Sequence, residues 1–257
     1  MGFGAITQYV DVAQIVLYMF WAFFAALILY LHRESKREGY PLLQEENRPG
    51  LSIVGFPGMP APKTYKLFHG GEVTVPTPDG RADTRPLALA RTAPWTGAPY
   101  VPTGDPMADG VGPGSWAERA DHPDLTVEGE DKIVPLRIAT EFHIEPNDPD
   151  PRGFPVLGAD DVQAGVISDL WVDRAEFYFR YYEVKLNDGR SVLLPVTMAR
   201  IEGKNRVKVR AILGSQFGGV PQLKSMDRIT FLEEDKVAAY YGGGYLYATP
   251  SRQEPIV

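Results

Sequence analysis

The chain has 257 residues, a net charge of −7 and no cysteine. Disulfides and thiolate metal sites are therefore excluded, and an acidic balance without a basic aromatic patch argues against nucleic acid as a partner. The four histidines (His32, His69, His122 and His143) form no HxH or HxxxH pair, so a histidine-built metal site is not expected.

In chain order, the first element is an uncharged run over residues 12–31, VAQIVLYMFWAFFAALILYL. Twenty residues at helical rise span about 30 Å, one bilayer hydrocarbon core. Residues 1–11 carry no Lys or Arg, and the run ends in basic residues instead of a small-residue cleavage site, so it reads as a retained anchor and not a signal peptide. Arg33, Lys36 and Arg37 follow the span and none precedes it. The positive-inside rule then puts residues 1–11 in the periplasm and everything from residue 32 onward in the cytoplasm. Trp21, Tyr30, Arg33 and Arg37 are the expected anchor residues, although Trp21 lies near mid-span and suits lipid or a neighbouring membrane helix better than an interface.

Nineteen of the 23 prolines fall within residues 41–160. The stretch 32–155 is accordingly expected to be extended and poor in long elements, as in Pro94-Trp95-Thr96-Gly97-Ala98-Pro99. Its aromatics, among them Tyr65, Phe68, Trp95, Tyr100, Trp116 and Phe142, favour a strap packed on a surface over a plain linker. Gly110-Val111-Gly112-Pro113-Gly114 is glycine-rich, but it lacks the strand context of a phosphate loop.

Residues 156–257 change texture. Strands are predicted at 166–173, 179–186, 191–196 and 206–212, with Asn187-Asp188-Gly189-Arg190 as a hairpin turn and a further short strand at 229–232. A short helix over 233–241 should stop at Gly242-Gly243-Gly244. The fold class is thus one N-terminal transmembrane helix plus a mainly β cytoplasmic domain, a small antiparallel barrel with a short C-terminal helix.

No nucleophile elbow, P-loop or complete dinucleotide motif appears. Carboxylates are dense in two places: Asp124, Glu128, Glu130 and Asp131 beside Lys132, and Asp173 with Glu176, four residues before Arg180. Such groups can pass protons if they are close together and their pKa values are raised toward neutrality. The other reading is an ordinary solvated acidic loop.

Several collinear motifs carry a resemblance. They are Arg37-Glu38-Gly39-Tyr40-Pro41; Pro62-Lys63-Thr64; His69-Gly70-Gly71 with Val73-Thr74-Val75-Pro76; Pro102-Thr103-Gly104-Asp105-Pro106 with Gly110-Val111-Gly112-Pro113; Asp169-Leu170-Trp171-Val172-Asp173; and Leu232-Glu233-Glu234-Asp235-Lys236-Val237. Together with the N-terminal span they make nearly the whole chain resemble the H subunit of the photosynthetic reaction centre of purple bacteria. The C-terminal strands are similar to that family's PRC-barrel domain, which some ribosome-maturation proteins share.

The resemblance implies a non-enzymatic subunit that binds no cofactor alone and caps the cytoplasmic face of the L and M subunits. Those partners carry bacteriochlorophyll, bacteriopheophytin, quinones, non-haem iron and a carotenoid. An antenna ring, a cytochrome donor and membrane lipids complete its surroundings in the bacterial inner, intracytoplasmic membrane. By the same resemblance, Asp173 and Glu176 are interior proton-relay carboxylates serving the secondary quinone, and Arg180 tunes them. Asp124, Glu128, Glu130 and Lys132 form the entry segment. Glu128 and Glu130 stand where some relatives have a histidine pair, and a carboxylate is a weaker proton reservoir than imidazole at neutral pH. Two other classes remain: a membrane-anchored adaptor for a different assembly, and a hydrolase using Glu128 or Glu176 as general base, which lacks an electrophile or metal.

Overall fold

The computed structural model describes residues 4–7, 9–40, 42–43, 52–76, 85–95, 97–203 and 205–253. Pro41 and Thr96, quoted in the motifs above, lie outside them. The chain divides into two units, residues 1–84 with 95–97 and residues 85–94 with 98–257.

In the first unit, helix α1 (Val12–Glu34) starts where Asp11 accepts a hydrogen bond from Gln14 N and runs three residues past the apolar run. None of its residues is buried within the chain. Among the described residues it is the one helix long and apolar enough to cross a membrane. Two short antiparallel pairs follow: β1 (Leu42–Leu43) with β2 (Ser52–Ile53), and β3 (Lys63–Lys66) with β4 (Glu72–Val75).

The second unit opens with a short ribbon of β5 (Leu89–Arg91) and β6 (Tyr100–Pro102). Its main sheet contains β7 (Ile133–Pro135), β8 (Pro155–Leu157), β9 (Gln163–Asp173), β10 (Tyr178–Leu186), β11 (Ser191–Pro195), β12 (Ala199–Glu202) and β13 (Arg206–Val209). The order is β11-β10-β9-β8-β13-β12, with β7 also on β9. The pairs are antiparallel except β8 with β13. The terminal strands β11 and β12 are consecutive in the chain and joined only by the turn Val196–Met198, so the sheet must curl to bring its ends together.

Residues from Leu170 to Asp173 are buried on both faces of β9, as the central strand of a curled sheet should be. The core gathers Trp171, Leu193, Leu194, Val207, Val209, Phe217 and Tyr241. The Leu186–Arg190 hairpin turn forms as its sequence predicts, with Gly189 at φ +89°.

Three expectations are corrected. Strand β13 ends at Val209, because Ala211 and Ile212 leave the sheet and are buried under the C-terminal helix. No strand forms at 229–232: Thr230 caps helix α2 (Phe231–Tyr247), its hydroxyl accepting from Glu233 N while the Glu233 carboxylate accepts from Thr230 N. That reciprocal capping box fixes a helix start there. The helix also continues through Gly242-Gly243-Gly244. These glycines serve packing: a Cβ at Gly243 would lie 2.9 Å from Gly114 Cα, and one at Gly244 would strike Ala211 and Ile212. Close approach to the loop Gly112–Gly114 outweighs the poor helix propensity, and it gives that glycine-rich loop a structural role.

Candidate functional site

Residues 124–132 fold back on themselves. Leu125 bridges Asp131, Thr126 N donates to Glu130 O at 2.8 Å, and Lys132 N donates to Asp124 O at 2.8 Å. Gly129, at φ +86°, turns the tip. Lys132 then enters the sheet edge at β7, which pairs with the end of β9, Ile133 opposite Asp173. The two carboxylate-rich segments of the sequence therefore converge.

Lys132 Nζ lies 3.2 Å from Glu176 Oε1, 3.4 Å from Asp124 Oδ2 and 3.6 Å from Asp173 Oδ2. The three carboxylates differ in exposure: the Asp173 side chain is 0 % exposed, Asp124 37 % and Glu176 52 %. Asp173 Oδ1 accepts from Ala175 N and Glu176 N, both at 3.0 Å, and so fixes the β9–β10 turn. Asp173 Oδ2 is buried without a hydrogen-bond partner and faces Lys132. Burial works against the Lys132 charge, but the Glu176 hydrogen bond and the Asp173 and Asp124 charges outweigh it and raise its pKa. The Lys132 hydrogen bond in turn holds Glu176 below the ordinary carboxylate value.

The other predicted residues fall elsewhere. Glu130 pairs with Arg174 at 2.6 Å, while Glu128 is exposed at the loop tip beside Gly129. Arg180 donates to the Tyr178 hydroxyl and lies 3.5 Å from Glu234 on α2. It reaches Glu176 only as a minor electrostatic influence. In the first unit, Trp21 packs edge-on against Phe20 and Phe24, and Tyr30 is exposed. Arg33 is exposed in the last turn of α1. Arg37 is bound at both guanidinium ends to Glu34 and donates to Ala61 O and Val75 O. Lys36 is buried, donating to Val54 O at 2.5 Å and Pro57 O at 2.6 Å. Two of the three basic residues after the span thus bind protein as well as carrying charge.

Two ionic groups were not foreseen from the sequence. Arg137 Nη1 lies 2.7 Å from Glu183 Oε2 and 3.1 Å from Asp169 Oδ2. Glu183 also accepts from Trp171 Nε1 at 3.1 Å and Ser168 Oγ at 3.2 Å. Arg137, Ser168, Asp169 and Glu183 line a pocket of about 570 Å³. Asp169 and Glu183 are 32 and 46 residues from Arg137, so no local motif announces them; the one signal is a Glu set between Tyr182 and Val184 in β10. The second group is Glu234, which accepts from the Tyr181 hydroxyl at 3.1 Å. Burial raises its pKa despite that bond and the nearby Arg180.

Among the described residues, no group of three or more His, Asp or Glu side chains is placed to hold a metal. Taken together, the described residues hold one helix long and apolar enough to cross a membrane and a mainly β domain that carries a lysine held among three carboxylates. Comparison with known families is specific: the photosynthetic reaction centre H-chain N-terminal region matches residues 4–138, and the PRC-barrel domain matches residues 145–216. The chain belongs to the photosynthetic reaction centre H-chain family and is a pigment-free subunit of that membrane complex, which it forms with the L and M subunits.

Proposed function

We propose that this chain caps the cytoplasmic face of L and M and delivers protons toward the secondary quinone, performing no catalysis of its own. Residues 1–11 lie in the periplasm, 12–31 cross the bacterial inner membrane, 32–155 strap onto the partner subunits, and 156–257 form the barrel domain. Bacteriochlorophyll, bacteriopheophytin, quinones, iron and carotenoid reside on the partners, with an antenna ring, a cytochrome donor and lipids around the complex.

The observation that carries the proton role is the graded exposure of the Lys132 cluster, from Glu176 and Asp124 at the surface to the buried, hydrogen-bond-free Asp173 Oδ2. Reduction of the quinone on the partners takes up two protons. In the chain alone, the Lys132 hydrogen bond keeps Glu176 ionised and lowers its proton affinity. Covering Glu176 with a partner surface removes water and raises its proton affinity toward the working pH. Lys132 bridges the two carboxylates, 3.2 Å from Glu176 Oε1 and 3.6 Å from Asp173 Oδ2, and so links the surface group to the buried one. Glu128 and Asp124 serve as entry groups, and Glu130 does so after release from Arg174. Arg180 acts on the relay through Glu234 and the local field.

The capping role is tested by drawing the complex from mild-detergent membranes through a tag on this chain. Near-infrared bacteriochlorophyll bands that bleach on illumination are expected. A colourless preparation from pigmented membranes would sink the proposal.

A further inference from the structure

The β9–β10 turn ends in a residue that neither conformational preference nor burial explains. Phe177 has φ +58°, the left-handed region, where glycine or asparagine is the usual occupant and a bulky side chain is an outlier. The residue is nevertheless 76 % exposed. The conformation is imposed by the relay cluster itself: Asp173 Oδ1 binds the amides of Ala175 and Glu176, and Phe177 N donates to Asp173 O at 2.8 Å. The ring is braced by Phe142, 5.7 Å away between centroids. The next residue, Tyr178, is 42 % exposed and carries the Arg180 guanidinium 5.5 Å from its ring centre. A strained, braced and solvent-facing aromatic is thus presented one residue from Glu176.

We propose that Phe177 is the aromatic anchor by which this chain seats on its pigment-bearing partner subunits. It enters an apolar pocket edged by cationic groups and closes the Asp173–Lys132–Glu176 cluster to bulk water. The inference rests on the capping and proton-delivery reading and adds to it the residue that does the sealing. Charge selects the occupant. Three carboxylates against one ammonium leave the cluster beside Phe177 at a formal −2. A second copy of this chain would set two such clusters face to face, and an anionic lipid surface would repel them. An aromatic in a desolvated pocket is the usual form of an interface hot spot, and dehydration is what the relay requires of Glu176.

The test titrates the full-length chain in detergent onto the pigmented partner core stripped of it, comparing wild type with Phe177→Ala, Phe177→Gly and Phe177→Leu. Phe177→Gly relieves the backbone strain, so its thermal midpoint as the free chain should equal or exceed that of the wild type, which separates binding from folding. The expected result is that Phe177→Ala and Phe177→Gly weaken binding about ten- to a hundredfold, while Phe177→Leu retains most of the affinity. Equal binding by wild type and Phe177→Gly overturns the anchor and leaves the capping role intact. Failure of the wild-type chain to bind the core overturns both. Self-association that Phe177→Ala abolishes, with core binding unchanged, would give the surface to a second copy and also overturn the assignment.

Discussion

Replacing Lys132 with Met keeps most of the side-chain volume and removes the cation shared by three carboxylates. Its heaviest consequence falls on Asp173, whose Oδ2 is fully buried and has Lys132 Nζ as its facing charge at 3.6 Å. At an effective dielectric near 20, two unit charges at that distance attract by about 4–5 kcal/mol. Lys132 itself is 17 % exposed and opens to water through Asp124 and Glu176, so screening reduces the expected loss to about 2–3 kcal/mol. The pH dependence has a definite sign. Glu176 is depressed below its ordinary 4.5, so its bond to Lys132 stabilises the fold above that pH. The contribution disappears as pH falls through the lower folded value. Lys132 is raised above 10.5, so its share persists through neutrality and is lost only as pH climbs past the folded value. Urea unfolding of the full chain in detergent, followed by near-ultraviolet circular dichroism, should therefore show mutant and wild type well separated at neutral pH and converging in acid. Adding Asp173→Asn, which keeps an oxygen for the Ala175 and Glu176 amides, should recover about half of the loss, because the stranded charge is gone. A loss under about 0.5 kcal/mol, or one that is the same in acid and at neutrality, would refute the electrostatic reasoning.

Two further outcomes follow from the packing. Arg137→Met strands Asp169 and Glu183 in the sheet and should cost about 2–3 kcal/mol, after discounting for an arginine that is 39 % exposed. Glu183→Gln, which can keep the Trp171 and Ser168 bonds, should cost less, and the reverse order in urea midpoints would show that the network is not held by charge. In α2, Gly242→Ala meets only Pro113 O at 3.4 Å and gains helix propensity, so it should be neutral or stabilise by up to about 1 kcal/mol. Gly243→Ala, which runs into the Gly114 backbone, should lower the thermal midpoint; equal midpoints for the two would mean the helix and loop are not tightly packed.

Much of the fold was legible because its signals are local. The uncharged run specified α1, and alternation with Asn187-Asp188-Gly189-Arg190 specified the β10–β11 hairpin. The failures share a cause. Thr230 and Glu233 cap each other across three residues, but the apolar Ile229, Phe231 and Leu232 gave that short segment the texture of a strand. Gly242-Gly243-Gly244 reads as a helix stop until Gly114, about 130 residues earlier, is seen against it. At the site, both carboxylate-rich segments were visible in the sequence. Their convergence on Lys132 depends on the β7–β9 register, which no short window contains. The Arg180 contact with Glu234 is likewise outside any short window, since 54 residues separate them. Phe177 gave no signal at all, because a left-handed backbone at a phenylalanine can be seen only in the folded turn.

Proton delivery through Glu176 is read out by flash-induced transfer of the second electron to the secondary quinone. Complexes carrying Glu176→Gln should be compared with wild type at several pH values, since that step is coupled to protonation. A slowing of about tenfold or more, growing as pH rises and protons become scarce, is the expected result. An unchanged rate across that range would remove Glu176, and the Lys132 cluster with it, from the proton path.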